Sequence, residues 1–89
     1  MYKYLGLEES GILNDVKDEY TRGRTAFPPY NSAHEGYAVI LEEMDELWDE
    51  VKKKHNLERI DAMYDEAIQV AATALAFCEM LKLTGLGRI

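Results

Sequence analysis

The chain has 89 residues, 47% of them hydrophobic, and a formal net charge of −7 from 17 Asp+Glu against 10 Lys+Arg. That length makes one small domain, and a domain of this size buries only about 60–65% of its unfolded surface, so its own core leaves a slim margin of stability. The hydrophobic share is too high for a disordered chain, and the acidic excess argues against a surface that grips a nucleic-acid polymer or anionic lipid.

With Cys78 the single cysteine, an intrachain disulfide is impossible and a zinc site built on thiolates is not expected. The run MYKYLGLEES at the start has no apolar segment long enough for a signal peptide. The longest apolar-rich stretch, Ala67 to Cys78, spans 12 residues, against the ~20 needed to cross a bilayer. The expectation is a soluble, cytoplasmic protein with no membrane partner.

In the N-terminal third, residues 1–26, Leu13, Val16 and Tyr20 recur with helical spacing and predict one helix from about Glu8 to Arg22. Gly11 weakens it by ~1 kcal/mol relative to Ala. Pro28 and Pro29 fix two φ angles and push Phe27 out of the α region, so residues 27–32 form a loop. Ser32-Ala33-His34-Glu35 fits a capping box that starts the next helix. Along it Tyr37, Ile40, Leu41, Met44, Leu47, Trp48 and Val51 make an apolar stripe, with Tyr37 and Trp48 read as core, or else as groups on which a base stacks. Lys52, Lys53 and Lys54 place positive charge in its last turn, and Asn56 marks a break or a new cap.

A further helix is predicted from about Leu57 to Leu83, with Gly85 as its C-cap region. Ten of the twelve residues from Ala67 to Cys78 are apolar and five are alanine, which describes a helix covered on nearly all sides. One chain of this size cannot surround such a helix. The expected architecture is therefore all-α, a short bundle of about three helices completed by homo-oligomerisation, with a helical pair over 33–84.

Candidate chemistry concentrates on the pair. The first of the two helices carries Glu42, Glu43, Asp45, Glu46, Asp49 and Glu50, and at 100° per residue Glu43, Glu46 and Glu50 share a ~60° sector beside the apolar stripe. This is either a solvated acidic face or a site for a hard divalent cation, which wants several carboxylate oxygens at ~2.1 Å. On the second helix Arg59, Ala62, Glu66, Gln69 and Thr73 form one stripe on an otherwise apolar surface. A buried carboxylate needs a partner. Glu66 thus belongs either to a Glu–Gln–Thr network that fixes helix register or opposite Glu43 and Glu46, where two antiparallel helices converge carboxylates on a metal.

The run HEGYAVILEEMDELWDEVKK, followed by DEAIQVAATALAF, resembles the MazG-like family of all-α nucleoside triphosphate pyrophosphohydrolases over about Phe27 to Leu83. The family's Glu-Glu-x-x-Glu motif is met by Glu42, Glu43 and Glu46. In its Glu-x-x-Asp motif Glu66 matches, and Gln69 stands where the Asp would be. The resemblance implies a dimer or tetramer that binds Mg²⁺, or Mn²⁺ in its place. It implies cleavage of the α–β phosphate bond of a nucleotide substrate. Under it, Glu43, Glu46 and Glu66 are metal ligands, with the Gln69 amide oxygen as an uncharged fourth and Asp65 as a substitute carboxylate. Glu42 is a ligand or orients the attacking water. Lys53, Lys54 and Arg59 are the nearest cations for phosphate charge, unless they only solubilise the surface. A non-catalytic oligomer of the same fold, binding nucleotide or a protein through the acidic groove, is the alternative that Gln69 favours.

Phe27 and Tyr30 flank the prolines and offer a wall for a nucleotide pocket. His34 and His55 are placed for helix-terminal roles, and Cys78 is read as an inert core residue.

Overall fold

The computed structural model describes residues 5–53 and 57–84. Among them the chain is all-helical, with four helices and no strand: α1 (Leu7–Ser10), α2 (Ile12–Ala26), α3 (Ala33–Val51) and α4 (Leu57–Thr84). The predicted N-terminal helix is split. Gly11 adopts a left-handed φ of +79°, closing α1 as its C-cap and opening α2, a backbone geometry that favours glycine. Helix α2 then runs past Arg22 to Ala26, until Phe27 turns extended at φ −132° and ψ 148° ahead of the prolines.

Half of the capping box forms. Ser32 Oγ accepts from the Glu35 backbone N–H at 3.1 Å, while the Glu35 carboxylate accepts from the Asn31 side chain at 3.0 Å. Helix α3 ends at Val51, so Lys52 and Lys53 lie in and after the C-cap rather than in the last turn. They pair back onto Asp49 and Glu50, at 3.2 and 2.8 Å. The expectations for Lys54, His55, Asn56 and Gly85 fall outside the described residues.

Helix α4 is the centre of the fold, packed against α3 on one side and α2 on the other. Gly36 faces Phe77 and Glu50 faces Arg59, so α3 and α4 are antiparallel. Asp15 meets Tyr64 and Tyr20 meets Glu79, so α2 runs parallel to α4. The buried apolar residues are Val16, Ala72, Ala76 and Met80. Tyr37 and Trp48, read as core, stand 63% and 58% exposed, and Cys78 is exposed as well. Their positions are apolar because of what the helix face is, not because this chain covers it. The apolar character of α4 also extends beyond Ala67–Cys78: the 26 residues Arg59–Thr84 are long and apolar enough to cross a membrane by length and composition. In this fold that segment carries Glu66, Gln69 and Glu79 toward its two neighbouring helices.

Candidate metal centre and adjoining cavity

The antiparallel register of α3 and α4 brings Glu43, Glu46 and Glu66 together, with one carboxylate oxygen from each within 4.8 Å of the others. Oxygens around an octahedral Mg²⁺ at ~2.1 Å lie ~3.0 Å apart in cis and ~4.2 Å in trans. A separation of at most 4.8 Å is thus close to the spacing that one ion requires. Glu66 Oε2 is buried without a hydrogen-bond partner, which is unfavourable for a carboxylate unless a cation or proton occupies that side.

The electrostatics agree with the geometry. Burial, then the charge of Glu46 and a hydrogen bond with it, then the charge of Glu66, push the Glu43 carboxyl up to about 7. Glu66 is raised as well, first by burial and next by Glu46. Three carboxylates at this spacing resist ionising together.

The other acidic and basic groups go elsewhere. Glu50, which shares the helical sector of Glu43 and Glu46, pairs instead with Arg59 and with Lys53, and these two cations hold its carboxyl below the usual range, Lys53 first. Lys53 and Arg59 are thus engaged with Glu50, and Lys54 lies outside the described residues. Gln69 turns to α2, where it helps Arg22, the larger influence, to hold the Glu19 carboxyl low. Asp65 is exposed and lines a groove with Asp15, Asp18 and Tyr64 on the α2 side. Thr73 Oγ1 donates within its own helix, to the carbonyls of Gln69 at 3.0 Å and Val70 at 2.9 Å. The polar stripe of α4 is therefore no single network. Glu66 serves α3, Gln69 serves α2, and Thr73 caps its own turn.

Beside the trio a cavity of about 460 Å³ opens between α2 and α3, within the range of small-molecule sites. Ala72, Thr73 and Ala76 of α4 form its floor, and Glu42 and Glu43 its α3 wall. The small side chains of the floor leave this space open. Phe27 and Tyr30 line the cavity, as do Arg22 and Arg24 of α2. No family model, curated protein or solved structure matches the chain. The site thus stands on its own geometry.

Two of the residues at this cavity, Glu19 and Arg24, have no place in the sequence reading. The pattern does hold a trace of Arg24: it falls four positions after Tyr20 on a helix, the spacing at which side chains meet.

Proposed function

We propose that the chain is a Mg²⁺-dependent hydrolase, with Mn²⁺ as a substitute ion, that splits (deoxy)nucleoside triphosphates into monophosphate and pyrophosphate. The observation that carries this reading is the convergence of Glu43, Glu46 and Glu66 from two helices at the edge of a cavity. When bound, the ion polarises phosphoryl oxygens and lowers the pKa of water. The chain's own part is to hold that charge with Glu43, Glu46 and Glu66. Glu42, one residue along and on the cavity wall, accepts the proton of the attacking water as its oxygen bonds the α-phosphorus and the bond to the bridging oxygen breaks. Phe27 and Tyr30 present ring faces on which a base stacks.

The test is pyrophosphate release from a panel of nucleoside triphosphates with Mg²⁺ or Mn²⁺. Release is expected to need the ion. Glu43→Ala or Glu66→Ala is expected to lower it by more than about 100-fold, since even partners once removed from a metal are worth 10–100-fold. The engagement of Gln69 with Glu19 favours a second reading, a non-catalytic protein that binds ion and nucleotide without turnover. Silence across the panel from folded protein that takes up Mg²⁺ selects it.

A homo-oligomer, dimer or tetramer, working in the cytoplasm belongs to the same proposal. Tyr37, Leu41, Met44 and Trp48 on α3 are exposed, and at ~100° per residue they share one face of that helix, opposite the side on which Glu42 and Glu43 line the cavity. A contiguous apolar face of that kind is uncommon on a monomer. Light scattering at micromolar concentration is expected to give the mass of two or four chains, and Leu41→Asp with Trp48→Asp the mass of one. A wild-type chain that runs as a monomer overturns this part.

A further inference from the structure

Arg24 reaches the cavity from α2 between two tyrosines. Its guanidinium carbon lies 5.8 Å from the ring centroid of Tyr20 and 5.7 Å from that of Tyr30. The side chain is 20% exposed, and its Nε and Nη1 are buried without a hydrogen-bond partner. Glu79 Oε1 stands 3.6 Å from Nη1, beyond hydrogen-bond length, and the other oxygen of Glu79 accepts the Tyr20 hydroxyl. Arg22, two residues earlier, differs in kind: its fork is closed on Glu19, with Nε donating to Oε1 at 3.2 Å, and its side chain is 61% exposed.

A guanidinium presents its donors in a rigid planar fork that matches the oxygens of phosphate and carboxylate. Within the chain its Nη1 has Glu79 Oε1 as an ion-pair partner at 3.6 Å, longer than a hydrogen bond, so the guanidinium charge is loosely held. An anion in the cavity that Arg24 lines offers it a closer partner. We propose that Arg24 is the anion receptor of the cavity it lines, taking a phosphate group of the ligand on its guanidinium while Tyr20 and Tyr30 flank it.

The proposal rests on the hydrolase reading for the source of the phosphate, a nucleotide. The recognition chemistry is shared by free pyrophosphate. It assigns the two sides of the cavity opposite tasks: Glu43 on the α3 wall draws a cation, and Arg24 on α2 draws the anion that comes with it. It also moves phosphate recognition away from Lys53 and Arg59, which face Glu50. A lysine at position 24 keeps the charge but loses the fork, so it is expected to recover only part of the binding.

Calorimetric titration of inorganic pyrophosphate into the whole chain in saturating Mg²⁺ tests this, with Mg²⁺ titrated separately. Arg24→Gln is expected to weaken pyrophosphate by about tenfold or more, as loss of a charge-assisted fork does, while leaving Mg²⁺ affinity within about twofold. Arg24→Lys is expected to fall between. Glu79→Gln is expected to strengthen pyrophosphate by a few-fold, because the guanidinium no longer shares its charge. Equal pyrophosphate affinity in wild type and Arg24→Gln overturns the proposal, and so does a wild type that takes Mg²⁺ but no pyrophosphate. Absence of Mg²⁺ binding removes the metal reading alone. The same titration in EDTA then decides Arg24, a loss in Arg24→Gln upholding it and no difference overturning it. If Arg24→Gln does not fold, Glu79→Gln carries the test, and an unchanged or weaker affinity overturns the assignment.

Discussion

Metal-free protein is expected to lose stability as the pH rises from 5 to 8, and saturating Mg²⁺ to reverse that trend. The cause is the carboxylate trio. Glu43 holds its proton up to about 7 in the folded chain, whereas an unfolded glutamate releases it near 4.3. Between those values the folded state binds more protons than the unfolded state, so stability falls with rising pH. A raised carboxyl thus contributes fully below the unfolded pKa and loses its contribution as the pH passes through the folded one. At 1.36 kcal/mol per pKa unit the ceiling is about 3.7 kcal/mol, and solvent access at the site brings the expected change to about 1–2 kcal/mol. Glu66, also raised by burial first, acts in the same direction. Mg²⁺ at 100 times its Kd adds about 2.7 kcal/mol, some 10 °C or more in Tm for a domain of this length.

Glu43→Gln makes the expectation sharper, because its two effects have opposite signs. In EDTA at pH 8 the amide removes the repulsion, so the variant is expected to be more stable than wild type by about 1–2 kcal/mol. In Mg²⁺ it lacks a charged ligand and is expected to be less stable than wild type. Thermal melts at pH 5, 6, 7 and 8, with EDTA and with Mg²⁺, read both effects. A wild type whose Tm rises with pH in EDTA, or ignores Mg²⁺, contradicts the convergence of the three carboxylates on an ion.

The trio was legible in the sequence because both helices are regular and joined by a short connection. Positions 43 and 46 lie one turn apart, and an antiparallel return brings position 66 opposite them. The same register argument, carried one turn further, places Arg59 against Glu50 rather than against a phosphate. That consequence depends on the length of the connection, which residue spacing on either helix does not report. The stripe through Leu13, Val16 and Tyr20 marks a buried face on α2 but says nothing of where it docks. Contacts such as Tyr20 with Glu79 and Asp15 with Tyr64 join residues far apart in sequence, so the α2 wall of the cavity appears only in three dimensions. Tyr37 and Trp48 show the limit of periodicity itself. An apolar stripe identifies a face that avoids water, and whether the same chain or another covers it is a separate fact.

Gly36→Ala is expected to be the most damaging small substitution in the helical pair. Gly36 is buried in α3, and a Cβ there would stand 2.9 Å from both Phe77 Cε1 and Tyr30 Cδ2, with Phe77 Cδ1 closer still. Alanine gains about 1 kcal/mol in helix propensity, while overpacking against two rings costs about 1–3 kcal/mol. Phe77 on α4 and Tyr30 in the loop before α3 both already press on Gly36, so the steric cost is expected to win, lowering stability by up to about 2 kcal/mol and Tm by up to roughly 16 °C. Tyr30 also lines the cavity and flanks Arg24, so ligand affinity is expected to fall along with stability. Phe77→Leu supplies the control. Alone it loses packing, but combined with Gly36→Ala it relieves the clash, and the cycle is expected to show a favourable coupling of about 0.5–3 kcal/mol. If Gly36→Ala instead stabilises the chain, α3 and α4 do not meet at the register that sets Gly36 against Phe77. The convergence of Glu43, Glu46 and Glu66 depends on that same register and fails with it.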